Sequence, residues 1–211
     1  MTRIIEKISN KYSLLNKIGL CMTVIKTKLI WKKARIIRRG MIIRGKSMID
    51  LGIGLTTGIN CRIEALCTGK DDCIKIKIGN KVQMNDSVHI AALESVTIGD
   101  NVLIASHVYI SDNSHGCYKG GDDDTSPSIP PVSRYYFVNP VKIGSNVWIG
   151  ESAMIMPGVT IGNGAIIGAH AVVNRSIPDN CIAAGIPAKI IKRYNETTKR
   201  WEKTAPDGSF I

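Results

Sequence analysis

The 211-residue sequence has few aromatic residues and no closely spaced cysteines. Phe, Trp and Tyr make up only 5% of it, whereas Gly occurs 20 times, which favours a core of narrow repeated layers over one thick nucleus. The six cysteines form no C-x-x-C pair, so the sequence indicates neither a zinc knuckle nor a redox dithiol. Free thiols in a reducing cytoplasm are the simplest interpretation.

Acidic residues are nearly absent from the first 48 positions, which hold 13 Lys and Arg against Glu6 alone, a net charge of +12. The other 163 residues carry a net charge of −1, which excludes a basic nucleic-acid groove along the main part of the chain. The longest uncharged stretch near the N-terminus, residues 18–25, is too short for a transmembrane helix, and no signal-peptide cleavage site follows it. The basic excess is therefore a local feature of the N-terminal segment.

This N-terminal segment has the spacing of an amphipathic helix. Its apolar residues recur at steps of three and four and alternate with lysines: Ile4, Ile8, Tyr12, Leu15, Ile18, Met22, Ile25 and Leu29. Two roles stay open for residues 1–32. The apolar face packs on the rest of the protein or on a neighbouring subunit, or the helix lies peripherally on an anionic membrane surface.

A six-residue repeat fills most of the remaining chain. Aliphatic residues follow each other at intervals of six: Ile143, Ile149, Ile155, Ile161, Ile167 and Val173. Each of them is preceded, two positions earlier, by a second small or branched residue. Neither a helix nor an ordinary strand produces this period. It indicates a chain that turns a corner every six residues and stacks into a β-solenoid.

The same pattern recurs upstream in two shorter blocks and one looser block. The shorter blocks predict inward side chains at Ile78, Met84, Ile90, Ile98, Ile104 and Ile110. The looser block predicts them at Ile43, Ile49, Leu55, Cys61 and Cys67. Both cysteines are therefore predicted to be core residues, since a buried thiol behaves as a small hydrophobe.

Two segments carry a resemblance to a known family: VKIGSNVWIGESAMIMPGVTIGNGAIIGAHAVV at residues 141–173, and IPDNCIAAGIPAKIIK at residues 177–192. They resemble the hexapeptide-repeat acyltransferases, in particular the galactoside, maltose and xenobiotic acetyltransferases and the bacterial polysaccharide O-acetyltransferases. The resemblance implies an all-β fold, a left-handed parallel β-helix over residues 41–186 that carries an inserted loop at 112–140, and a homotrimer. Residues 1–40 form the N-terminal segment, and residues 187–211 a capping segment in which we expect a short helix.

The long interruption of the repeat, between Ile110 and Ile143, predicts a functional loop. In the resembling enzymes this loop presents the catalytic histidine, which implies His115 as general base. An imidazole suits the removal of a hydroxyl proton near neutral pH. Cys117, acting as an acyl-accepting nucleophile, is the alternative. The other histidines fall at outward or corner positions of the repeat, where solvated surface is the better interpretation: His89, His107 and His170.

The resemblance also assigns substrate-binding residues. Asn85 matches the asparagine that binds the acceptor sugar, although Leu93 stands where some relatives have a carboxylate, with Asp86 and Glu94 as possible stand-ins. Acetyl-CoA would lie between two subunits against Trp148, Glu151, Ala169, Asn174, Arg175, Lys189 and Lys192. No metal is required, because the thioester is already activated.

The sequence thus predicts a cytoplasmic, acetyl-CoA-dependent O-acetyltransferase that acts on a sugar of a bacterial surface polysaccharide or its precursor. An amino-sugar or nucleotide-sugar N-acetyltransferase is the near alternative. A non-catalytic β-helix scaffold is the distant one, and it would not require a long loop that bears a histidine.

Overall fold

The computed structural model describes residues 13–67 and 73–211. Its helix α1, Leu14–Ile30, begins at Ser13, whose side-chain oxygen accepts a hydrogen bond from the Asn16 N–H at 3.2 Å. A hydroxyl at this position satisfies one of the free N–H groups at the start of a helix. The helix ends at Trp31, whose N–H donates to the Thr27 carbonyl. Short strands follow for the rest of the chain.

The strands stack into three parallel sheets, which form the three faces of a prism. Face I contains β2 (Ile49–Leu51), β4 (Ile76–Ile78), β7 (Val96–Ile98), β12 (Val141–Ile143) and β15 (Thr160–Ile161). Face II contains β5 (Gln83–Met84), β8 (Leu103–Ile104), β13 (Trp148–Ile149), β16 (Ile166–Ile167) and β18 (Cys181–Gly185). Face III contains β1 (Ile42–Arg44), β3 (Arg62–Ala65), β6 (His89–Ala92), β9 (Tyr109–Ser111), β14 (Met154–Ile155) and β17 (Val172–Val173).

The six-residue period positions the core as predicted. Each coil places one strand on every face, so that equivalent residues of successive coils stack, as Ile98, Ile143 and Ile161 do on face I. The side chains of the repeat are fully or almost fully buried, and they form one continuous hydrophobic cluster along the prism. Burial of this column on all three faces is the main stabilising contribution.

The phase predicted for the looser block is wrong by two residues. Ile49 pairs with Ile76 and Leu51 pairs with Ile78, so Ile49 and Leu55 occupy the earlier of the two inward positions of their repeats. Both are buried, as predicted. A 3₁₀ turn, Lys46–Met48, lengthens this coil and shifts the pattern. Cys61 is buried as predicted, and burial raises the pKa of its thiol, whereas Cys67 is exposed.

The helix expected within residues 187–211 is also wrong, because these residues form antiparallel strands. Strand β19 (Ala188–Asn195) turns back on β18, and β20 (Arg200–Lys203) pairs with β19. Burial alternates along the start of β19, with Ala188 and Ile190 inside. The rings of Tyr194 and Trp201, which suggested a helix, form a cross-strand pair with centroids 5.5 Å apart.

Candidate active site

A long loop leaves the prism between β9 and β12, where the repeat is interrupted. Its base is a short antiparallel pair, β10 (Asn113–His115) with β11 (Tyr136–Val138), in which His115 lies opposite Tyr136. The loop starts at the border between faces III and I, because β9 belongs to face III and β12 to face I. This pairing gives the predicted catalytic residue a defined position.

Asp112 anchors the loop, and the sequence did not single it out. Its side chain is fully buried, and its carboxylate accepts hydrogen bonds from three backbone N–H groups of the corner one coil below, at Leu93, Glu94 and Ser95, over 2.7–3.2 Å. The Asp112 carbonyl accepts a further bond from the Asn139 N–H at 2.7 Å. Both ends of the loop are therefore fixed to the prism next to His115.

The imidazole of His115 is exposed and lies against the ring of Tyr136, with centroids 4.6 Å apart. Within residues 13–67 and 73–211, neither imidazole nitrogen has a hydrogen-bond partner. The backbone of His115 is held instead, because the Tyr118 hydroxyl donates to its carbonyl at 2.5 Å. Arg134 in turn donates to that hydroxyl at 2.7 Å. The geometry thus fixes the residue and leaves its ring open to a substrate.

Cys117, the alternative nucleophile, is 5% exposed. Its N–H donates to the Thr125 hydroxyl at 3.1 Å, inside the loop. A nucleophilic thiol needs access to the acyl donor and a group that favours the thiolate. A buried position does not suit that role.

Asn85 is exposed at the corner between faces II and III, directly after β5. Its backbone carbonyl accepts a hydrogen bond from the buried Cys61 thiol at 3.1 Å, while its side chain faces outward. Asn85 and His115 therefore lie at opposite borders of face III on one chain. Asp86 and Glu94 were the possible replacements for the carboxylate that some relatives have at position 93. Asp86 accepts a hydrogen bond from the Ile59 N–H at 2.8 Å, whereas Glu94 is exposed in the corner that Asp112 holds.

The residues expected to contact acetyl-CoA fall into two groups. Trp148 is half-exposed on the outer surface of face II, and Glu151 and Ala169 lie at the corner that follows this face. Lys189 and Lys192 are exposed on β19, which extends the same sheet. The second group, Asn174 and Arg175, is exposed after β17, at the border of faces III and I where the His115 loop also leaves.

An ion cluster on face III was not predicted from the sequence. The carboxylate of Glu64, 3% exposed, contacts Arg44 at 3.1 Å, Arg62 at 2.5 Å and His89 at 3.0 Å. Burial alone would raise the pKa of Glu64, but hydrogen bonds from Arg62 and His89 and the charges of both arginines lower it below its ordinary value. His89 was interpreted as solvated surface. It is instead partly buried, since neighbouring strands bring it against Glu64 and the ring of Tyr109.

Residues 140–175 match the family described as bacterial transferase hexapeptide (six repeats). Among relatives, the chain is 45% identical over 199 residues to WbbJ of Escherichia coli strain K12, provisionally named a lipopolysaccharide biosynthesis O-acetyl transferase. The match covers 94% of this chain and 99% of WbbJ.

Two solved structures share the fold. AntD from Bacillus cereus, an N-acyltransferase in complex with dTDP and 3-hydroxybutyryl-CoA, has a TM-score of 0.64 at 23% identity, over 89% of this chain and 91% of its own. A galactoside acetyltransferase in complex with coenzyme A has a TM-score of 0.53 at 29% identity, over 79% of this chain and 75% of its own. Because the repeat, the fold and a relative matched over nearly its whole length agree, this chain belongs to the hexapeptide-repeat acetyltransferases.

Proposed function

We propose that the protein transfers an acetyl group from acetyl-CoA to a sugar hydroxyl of a bacterial surface polysaccharide or its precursor. The observation that carries the chemistry is the exposed imidazole of His115 on a loop anchored by buried Asp112. The choice of acceptor is supported by the 45% identity to WbbJ, a protein named for O-acetyl transfer in lipopolysaccharide biosynthesis. Because the donor is cytoplasmic in bacteria, we place the reaction in the cytoplasm.

His115 acts as the general base in this proposal. A ring nitrogen takes the proton from the sugar hydroxyl while the oxygen attacks the thioester carbonyl. The tetrahedral intermediate then collapses, the carbon–sulfur bond breaks, and the sulfur of coenzyme A leaves with the proton returned by His115. Acetyl passes directly from donor to acceptor, and the buried position of Cys117 supports a route without an acyl-enzyme.

The proposal includes a left-handed winding of the β-helix, as in the resembling enzymes, and a homotrimer. The outward residues of the three faces support an assembly through faces II and III. Face I presents polar side chains such as Lys77, Lys142 and Thr160. Face II presents Leu103 and Trp148, and face III presents Met154, all more than a third exposed. Apolar outer surfaces of this kind are typical of subunit contacts.

A site shared between subunits follows from the separation of the two residue groups. On one chain, Trp148 lies on face II and Glu151 at the border of faces II and III, whereas His115 and Arg175 lie at the border of faces III and I. A three-fold ring can bring one border of each chain against the other border of its neighbour. Acetyl-CoA would then contact Trp148, Glu151, Ala169, Lys189 and Lys192 of one subunit and reach His115, Asn174 and Arg175 of the next.

N-acyl transfer to an amino sugar is the second candidate function, because AntD, an N-acyltransferase, has a similar fold. The same base would serve an amine acceptor. At 23% identity the likeness concerns the fold alone, so the O-acetyl proposal remains the better supported one.

The test is to incubate the protein with acetyl-CoA and a panel of sugars, nucleotide-linked sugars, amino sugars and oligosaccharides, and to follow the free thiol of coenzyme A. We expect release of the thiol that depends on a hydroxyl acceptor. Release only with amine acceptors would favour the second candidate, and release with none would contradict both.

A further inference from the structure

Helix α1 turns its small, polar side toward the protein. Thr27, the buried residue of the helix, accepts the Ile37 N–H at 2.9 Å and donates to the Thr23 carbonyl at 2.7 Å. Leu20 and Thr23 on the same side are half-buried. At 100° per residue these three positions share one flank of the helix. On this flank the hydrogen bond between α1 and the first coil is therefore made by the Thr27 hydroxyl, beside half-buried Leu20.

The opposite side of α1 carries large apolar side chains that the rest of this chain does not cover. Each of them is more than half exposed, and we name them the apolar stripe: Leu14, Leu15, Ile18, Met22, Ile25 and Leu29. They fall within an arc of about 100°, and the middle of this arc lies roughly 170° from Thr27. The first role expected from the sequence was packing on the prism or on a neighbouring subunit. Its first part, packing on the same chain's prism, is therefore wrong for residues 14–30, and its second part stays a prediction. The first part of that pattern, at Ile4, Ile8 and Tyr12, lies outside the described residues.

Positive charge surrounds the apolar stripe. Lys17 and Lys28 border one side of it and Lys26 the other, by their positions on the helix. Residues 13–48 include no acidic residue, and further exposed cations follow the helix: Lys32, Lys33, Arg35 and Arg39. Of these, Lys33 also contacts Asp50 at 3.8 Å. If the stripe packed on its equivalent in a second copy, these cations would face each other. An anionic lipid surface can bury the apolar side chains and attract the surrounding cations.

We propose that α1 docks the protein on an anionic lipid bilayer, with its axis in the plane of the membrane. The apolar stripe would enter the boundary between headgroups and acyl chains, and the flanking lysines would lie among the headgroup phosphates. The helix has 17 residues, and among the described residues no helix is long and apolar enough to cross a membrane. The mode is therefore peripheral, and it does not depend on the identity of the acceptor.

The experiment compares co-sedimentation of the full chain with two kinds of vesicle, pure phosphatidylcholine and phosphatidylcholine mixed with phosphatidylglycerol. We expect binding to the anionic vesicles that weakens with salt and is at least tenfold stronger than binding to neutral ones. The variant Ile18→Gln/Ile25→Gln/Leu29→Gln should lose roughly tenfold or more of this binding, because Gln keeps helix propensity and removes apolar area.

A matched control removes three exposed aliphatic residues elsewhere, by Ile53→Gln/Ile74→Gln/Ile211→Gln, and should bind like the wild type. Circular dichroism and acetyl-CoA binding, measured on all three proteins, show that folding and the proposed active site are intact. Recovery of the wild type in the supernatant with both vesicles, or equal binding to both, would overturn the proposal. So would a loss of the wild-type oligomer in the helix variant without lipid, since the apolar stripe would then be a subunit contact.

Discussion

The ring of His115 packs on the ring of Tyr136, its partner across the β10–β11 pair, with the two planes tilted by 44°. This contact restricts the imidazole to one side while leaving its nitrogens open. A general base has to stay within hydrogen-bond reach of the proton that it removes, so the orientation of the ring decides its efficiency. Tyr136 is thus a positioning residue in the proposed mechanism.

The first prediction concerns Tyr136. Tyr136→Leu should lower kcat about 10-fold to 100-fold with little change in the KM for acetyl-CoA, because a misplaced base affects the transition state more than donor binding. Tyr136→Phe should retain activity, since the ring and not the hydroxyl makes the contact. Steady-state kinetics on both variants measure this. Equal losses in the two would assign the effect to the hydroxyl instead.

The second prediction concerns the anchor of the loop. Asp112→Ala removes the buried carboxylate that accepts from the N–H groups of Leu93, Glu94 and Ser95 and should cost about 2–4 kcal/mol of unfolding free energy. Because the same bonds hold the loop, kcat should fall more than affinity for acetyl-CoA. Asp100→Ala is the control, as Asp100 caps another corner through the Asn80 N–H. An unchanged kcat in a folded Asp112→Ala protein would refute the anchoring role.

The third prediction concerns Glu64. Its pKa is lower in the folded protein than in the unfolded chain, so the ionised carboxylate stabilises the fold above the unfolded value of about 4.3, and this stabilisation disappears as pH falls through the folded pKa. Glu64→Gln should be less stable at pH 7 by about 1–3 kcal/mol, since Arg44, Arg62 and His89 lose their anion. Denaturation at several pH values should show that the difference in unfolding free energy between wild type and Glu64→Gln becomes smaller in acid. Two results would count against the ion cluster: a difference in unfolding free energy between wild type and Glu64→Gln that stays constant from pH 7 to pH 2, or one no larger than the effect of Glu94→Gln, a change at an exposed carboxylate.

The fourth prediction concerns assembly. Sedimentation should give a three-fold ring, and Met154→Glu on the outer surface of face III should dissociate it and weaken acetyl-CoA binding at least tenfold, because a buried unpaired charge opposes association. Thr97→Glu, at the equivalent outward position of face I, should leave both unchanged. A fully active wild-type monomer would exclude a shared site.

The inner positions of the prism could be predicted from the sequence because one stacking arrangement satisfies a six-residue period. The six-residue period does not show where a coil departs from the regular stacking. Counting in sixes placed Cys67 inside, but β3 ends at Ala65 and β4 begins at Ile76, so Cys67 lies between strands and is exposed. The apolar residues of β19 fit a helix as well as a strand, and their pairing with β18 decides between the two.

The candidate site was predictable only where a motif marks it. His115 stands out because the loop and the family resemblance coincide there. Asp112 and its partners, and Glu64 and His89, are 17 to 25 positions apart in the sequence, and stacking of the coils brings them together. No local sequence pattern indicates such contacts. The apolar spacing of α1 predicted an amphipathic helix, but only the structure shows that its hydroxyl side faces the protein.

The most direct measurement is the site of acetylation on the product, compared between the wild type, His115→Ala and Cys117→Ala. With a responsive acceptor from the panel, mass spectrometry and NMR should find an O-acetyl ester formed by the wild type and, within a few-fold, by Cys117→Ala. His115→Ala should form it roughly 10² to 10⁴ times more slowly, with acetyl-CoA affinity unchanged. An N-acetyl product, undiminished transfer by His115→Ala, or an acetyl adduct on Cys117 would contradict the proposed mechanism.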